Sequence, residues 1–126
     1  MTMTTTPRLL LTGVILELTL ATATIHFSLG GTLFVLNALG YLALGAAYFA
    51  AAALPMAAVR RFGWLPRLGL AAFASVTIVA YLVIGPHFTL GWVTKAIEVA
   101  IVMLVLVDLT MDAGVGGASR RSPTSA

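Results

Sequence analysis

The sequence predicts an all-α membrane protein, an antiparallel four-helix transmembrane bundle. Three observations predict it. The 126 residues are 60% hydrophobic and only 9% charged, whereas a typical soluble domain carries about 25% charged residues; with a mean hydropathy of +1.07, lipid rather than water must solvate much of the surface. The chain also divides into four apolar runs, each close to the roughly 20 residues a helix needs to cross a bilayer core. Finally, basic residues flank these runs on alternate connections only, the pattern of a chain that passes back and forth through a membrane.

The first span is expected over residues 8–27, after a flexible, threonine-rich start at 1–7. Its apolar run contains Glu17, Thr19, Thr22, Thr24 and His26. A rival reading is a cleaved signal peptide, with Arg8 as the basic start and Ala21-Thr22-Ala23 as the small-residue cleavage site, which would remove residues 1–23. The length of the run and the glutamate at its centre favour a retained span. The stretch from Ser28 to Thr32 holds two glycines able to adopt positive φ and a threonine able to cap the next helix. So short a turn implies a helical hairpin.

The second span is expected over 33–54. It carries Asn37 and a series of small residues, among them Gly40, Gly45 and Ala50 to Ala53. Small side chains let helix backbones approach closely in lipid. Pro55 to Pro66, with Arg60, Arg61, Phe62 and Trp64, reads as an interfacial loop. The third span, 67–84, begins at Arg67 and carries Ser75, Thr77 and Tyr81; Gly85 to Gly91 is a second short connection. The fourth span, 92–111, carries Lys95 and Glu98 three residues apart, hence on one helix face. A charge facing lipid at mid-depth costs about 3 kcal/mol, so this helix needs neighbours that enclose the pair. The tail, 112–126, is rich in Gly, Ser and Arg and is expected to be disordered.

With four spans, Arg8, Arg60, Arg61, Arg67, Arg120 and Arg121 fall on one side, and the two opposite connections contain no Lys or Arg. The basic side is the cytoplasmic one by the positive-inside rule. The expectation is a multi-pass cell-membrane protein with both termini in the cytoplasm. Asp108 and Asp112 then fall at the cytoplasmic end, within reach of the basic loops.

The candidate site is an intramembrane polar cluster of Glu17, His26, Asn37, Tyr81, Lys95 and Glu98. Glu17 has no basic residue within four positions on its own helix, so it needs a partner on another helix, water, or a proton. If the first and fourth spans touch, Glu17 and Glu98 would share a proton or bracket a cation. His26 lies nine residues after Glu17, about 900° of helix rotation, so the two point to opposite sides: one faces the bundle, the other a partner chain or the polar boundary. Haem b ligation would call on His26 and His87, but His87 sits in a loop beside Pro86, and no cofactor or metal is expected. No cysteine is present, which excludes disulfides, thiolate chemistry and Cys-ligated metals. No nucleotide-binding loop, serine-hydrolase elbow or zinc-protease motif occurs, and the arginines serve topology rather than nucleic acid.

Two segments, Ile25-His26-Phe27-Ser28-Leu29-Gly30 and Lys95-Ala96-Ile97-Glu98 with the aliphatic run that follows, give the chain a resemblance. It resembles small, uncharacterised four-helix integral membrane proteins of archaea and bacteria. The resemblance implies four spans and no particular activity. The expected function is that of a non-enzymatic accessory or self-associating membrane subunit, with the lipid bilayer and a homo-oligomer or larger membrane complex as partners. The alternatives are a proton- or cation-coupled carrier using Glu17 and Glu98, and a haem- or quinone-associated redox subunit.

Overall fold

The computed structural model describes residues 5–119, with side-chain surroundings over 6–111. The elements are α1 (Thr5–Leu29), α2 (Thr32–Ala53), the short α3 (Ala57–Arg61), α4 (Trp64–Ile84) and α5 (Thr89–Ser119). Four of them are long and apolar enough to cross a membrane, and the chain is a small multi-pass membrane protein. Helices are the natural solution here, because a helix satisfies every backbone polar group within its own segment.

Several boundaries differ from the expected ones. Thr5 to Pro7 form the first turn of α1; proline is tolerated there because first-turn N–H groups have no intrahelical acceptor. Residues 1–4 of the expected flexible start lie outside the described residues. Trp64 to Pro66, read as loop, open α4 for the same reason. The tail expected to be disordered from 112 instead continues α5 to Ser119: no proline interrupts the chain before Pro123, and each added residue gains one backbone hydrogen bond once a helix exists. Residues 120–126 lie outside the described residues. In the first connection Gly30 and Gly31 both take positive φ, at 69° and 83°. Gly31 itself stands at the N-cap of α2, with no side-chain cap bond, so Thr32 does not cap as expected but is the first helical residue.

The spans close a ring, with α1 packed on α2 and α5, and α4 packed on α5 and α2. Each contributes a narrow buried stripe at intervals of three, four or seven residues: Ile15, Thr19, Thr22 and His26 on α1; Ala38, Tyr41, Gly45 and Tyr48 on α2; Leu70, Ala74 and Tyr81 on α4; Thr94, Glu98, Ile101, Val105 and Asp108 on α5. This is the spacing of helices that pack knob into hole at a shallow angle. The stripes are more polar than the outer faces, which carry Leu33, Val83 and Ile84 among many exposed aliphatics. Such inversion is expected in lipid, where apolar surface gains nothing by hiding and close contact and hydrogen bonds must hold the helices together. The small residues serve that contact. A Cβ on Gly40 would meet the Phe73 ring at 2.5 Å, one on Gly45 would meet Thr19 at 3.2 Å, and one on Gly69 would meet Leu44 at 3.1 Å.

Candidate functional site

Two polar layers cross this bundle, and each draws a side chain from all four spans. The first surrounds Glu98. Its carboxylate is fully buried and accepts from Lys95 Nζ at 2.5 Å on the turn before. From α1, the Thr22 hydroxyl donates to it at 3.4 Å, and His26 Nε2 lies 3.6 Å from Oε1. Lys95 also donates to the Thr77 carbonyl of α4 at 3.4 Å and sits over the Tyr81 ring at 5.3 Å. Tyr41 of α2 closes the layer, its hydroxyl bonded to Thr77 at 2.9 Å and its ring against His26 at a centroid separation of 5.8 Å. Lys95 therefore turns inward to its partner rather than snorkelling toward the membrane surface.

The tautomer of His26 follows from its surroundings. Nδ1 lies 2.8 Å from the Thr22 carbonyl oxygen, which can only accept, so Nδ1 carries a hydrogen. Nε2 is then the atom that faces Glu98. This edge of the layer can hold one further proton between imidazole and carboxylate.

The second layer surrounds Asp108, only 1% exposed. It accepts a short hydrogen bond from the Tyr48 hydroxyl of α2 and one from Arg67 Nε of α4 at 2.8 Å. Arg8 of α1 approaches the other carboxylate oxygen at 3.9 Å. Asp108 thus meets basic residues at its end of the bundle, as its position beside the basic loops requires; the side chain of Asp112 lies outside those described. Glu98 and Asp108 are ten residues apart on α5, about 15 Å along a helix. The space between the layers is filled by apolar core, including Ile15, Leu70, Ala71, Ala74, Ile101 and Val105.

Of the residues singled out in the sequence, His26, Tyr81, Lys95 and Glu98 come together. Asn37 does not join them: it is half-buried near the start of α2 and makes no hydrogen bond among the described residues. Tyr81 reaches the layer only with its ring face; its hydroxyl is taken by the backbone of Phe88, as donor to the carbonyl at 3.3 Å and acceptor from the N–H at 3.2 Å.

Glu17 is the clear correction. The first and fourth spans do touch, but Glu17 is exposed on the outside of α1, while His26, half a turn round the same helix, is buried. A proton shared, or a cation bracketed, between Glu17 and Glu98 is therefore not the arrangement found. Glu17 has no ion pair or hydrogen bond among the described residues. It stands at the centre of the Thr6–Leu29 span, where facing hydrocarbon costs about 3 kcal/mol.

Comparison with known protein families, curated proteins and solved structures finds no match. The chemistry of the two layers is thus the ground for function. Thr22, Tyr41, Thr77, Tyr48, Arg67 and Arg8 were absent from the sequence-based cluster. Two signals pointed to part of that set: Tyr41 and Tyr48 are seven residues apart, on one face of α2, and a tyrosine buried in an apolar helix needs a partner for its hydroxyl. Among the described residues, no three His, Asp or Glu side chains converge as a metal site. The grooves on the outside of α4, lined by Val76, Val79 and Val83, and beside α5, lined by Val99, Val102 and Met103, include no residue of either layer.

Proposed function

We propose that this protein is a non-enzymatic accessory membrane subunit, a rigid four-span body whose buried charges hold its helices in register. The observation that carries this reading is the composition of the layers: each takes a side chain from every span, and each buried acid is met by a base. Contacts within the layers, such as Arg8 with Asp108 and Thr22 with Glu98 on α1 and α5, support neighbouring spans running in opposite directions. The Arg8, Arg60, Arg61 and Arg67 end is then the cytoplasmic one, in the cell membrane, with both termini inside. Reporter fusions at the two ends, read for cytoplasmic or external activity, should both report cytoplasm; a split result overturns the orientation.

One observation favours a second reading. The approach of His26 Nε2 to Glu98 offers a proton position inside the membrane, so proton-coupled transport would use His26 and Glu98 rather than Glu17. A haem-bound form would instead require His26 to release the Thr22 carbonyl and turn from Glu98, and a Soret band in purified protein would reveal it.

Reconstituted liposomes separate the two main readings. For a structural layer, proton and cation flux through wild-type protein stays at the level of protein-free vesicles, and Glu98→Gln lowers the thermal midpoint without altering flux. Flux above background that Glu98→Gln removes would establish the carrier and end the structural reading.

A further inference from the structure

Most of the charged side chains described in this chain are engaged in the bundle. Arg8, Arg67 and Asp108 meet in one layer, and Lys95 and Glu98 in the other. Two cations are left over. Arg60 and Arg61 are adjacent and exposed at the end of α3, and neither guanidinium has an ion pair or a hydrogen bond among the described residues. No described acid is placed to meet them: Asp108 and Glu98 are buried in their layers, and Glu17 stands at mid-span on α1. The connections at the opposite end of the bundle, Ser28 to Thr32 and Gly85 to Gly91, contain no Lys or Arg.

The setting of these arginines is not that of a loop extended into water. α3 has five residues and none of them is buried; so short a helix is marginal in water by itself, and the bundle gives it no apolar seat. Met56, Phe62, Trp64 and Leu65 around it are large and exposed. The spans on either side fix the depth, since α2 ends at Ala53 and α4 begins at Trp64. The segment between them therefore lies at the membrane end, where Trp and other amphipathic rings settle at the headgroup level. The Arg61 guanidinium lies 5.5 Å from the centroid of the Phe62 ring, so this cation is held against an aromatic at the hydrocarbon boundary.

Charge complementarity names the occupant. A guanidinium presents a planar fork that matches phosphate oxygens, and two of them without a carboxylate call for a ligand of net negative charge. The apolar side chains at the same level call for hydrocarbon next to that phosphate. A phospholipid with a net negative headgroup supplies both. A zwitterionic one brings its own ammonium, which the arginines repel, and free phosphate offers nothing to Phe62 and Trp64.

We propose that the connection between α2 and α4 is a binding site for an anionic phospholipid, in which Arg60 and Arg61 hold the headgroup phosphate while Met56, Phe62 and Trp64 lie against the upper acyl chains. This goes beyond the accessory-subunit reading and holds equally for a carrier, since neither polar layer takes part.

The two tryptophans of the chain make the test local: Trp64 stands in this segment and Trp92 at the opposite end of the bundle. Trp92→Phe leaves Trp64 as the single reporter. In mixed vesicles its fluorescence should be quenched by brominated phosphatidylglycerol in preference to brominated phosphatidylcholine, with a relative affinity of about fivefold for each arginine. Adding Arg60→Gln and Arg61→Gln should bring that ratio to about one. Both side chains lie outside the bundle, so an unchanged thermal midpoint will show that the fold is intact. The Trp64→Phe protein, which reports from Trp92, should show no preference. Equal quenching of Trp64 by the two lipids, a preference that survives the loss of both arginines, or one equally strong at Trp92 overturns the site. Inorganic phosphate that abolishes the preference, where chloride at the same ionic strength does not, overturns the lipid in favour of a free anion.

Discussion

Lys95→Met should be the most damaging single substitution in the chain. It leaves the Glu98 carboxylate, 0% exposed, without its 2.5 Å partner and with neutral or weakly basic groups beside it, the Thr22 hydroxyl, His26 and Tyr41. Removing one member of a buried ion pair costs about 3–5 kcal/mol, because the remaining charge keeps its desolvation penalty and loses the compensation. That is comparable with the roughly 5–15 kcal/mol that separates a folded domain from its unfolded state. The protein should lose its cooperative thermal transition in detergent or shift it far downward, as followed by helical circular dichroism. The double variant Lys95→Met/Glu98→Leu should recover most of the loss, since two apolar side chains of similar volume leave no charge behind. A double-mutant cycle should therefore give a coupling well above the about 0.5 kcal/mol at which independent sites add. If the double variant is as unstable as the sum of the singles, the pair is not the unit that holds this layer.

The same pair shows how far the sequence alone reaches. Lys95 and Glu98 lie three residues apart in an otherwise aliphatic helix, and that spacing fixes both the shared face and the need for an enclosing bundle. The four spans were legible for a similar reason, since length and apolarity are properties of a segment and need no partner. The glycine turn was legible because positive φ at Gly30 and Gly31 is a local matter. Even the opposition of Glu17 and His26 follows from helix rotation.

Which of those two faces inward was not legible. Both are ionisable and both lie within an apolar run, and the choice depends on what the neighbouring helices place opposite. Thr22 and His26 meet Glu98 of α5 and Tyr41 of α2 across the bundle, contacts 15 to 76 positions apart along the chain. Hydrophobic periodicity could not decide it either. In lipid the outer face is as apolar as the core, so the buried stripe of α1 is marked by Thr19, Thr22 and His26 rather than by aliphatic residues. A stripe read as polar by soluble-protein habits is here the interior. The Asp108 layer was half legible: the basic loops placed cations near that end, but the role of Tyr48 depends on α2 and α5 meeting across the ring.

Arg67→Met should produce the second large loss, and Arg67→Lys should not rescue it fully. Arg67 donates Nε to Asp108 at 2.8 Å while another guanidinium nitrogen donates to the Gly63 carbonyl at 3.1 Å, and its cationic head lies 5.8 Å over the Tyr48 ring. One planar fork therefore joins the acid of α5, the start of α4 and the aromatic of α2. A lysine offers a point charge that can satisfy the acid but cannot hold all three contacts at once. Methionine at this position leaves Asp108 with the Tyr48 hydroxyl and with Arg8 at 3.9 Å, so the expected loss is about 3 kcal/mol, toward the lower end for a broken buried pair. Lysine should cost about 1 kcal/mol, the scale of one lost hydrogen bond. Thermal midpoints of the three proteins in the same detergent should rank wild type, Arg67→Lys, Arg67→Met. Tyr48→Phe, which removes a donor to a buried carboxylate, should cost about 2 kcal/mol and fall between Lys and Met. If Arg67→Met melts with the wild type, Asp108 is held by its tyrosine and by Arg8, and the guanidinium serves the membrane surface instead of the bundle.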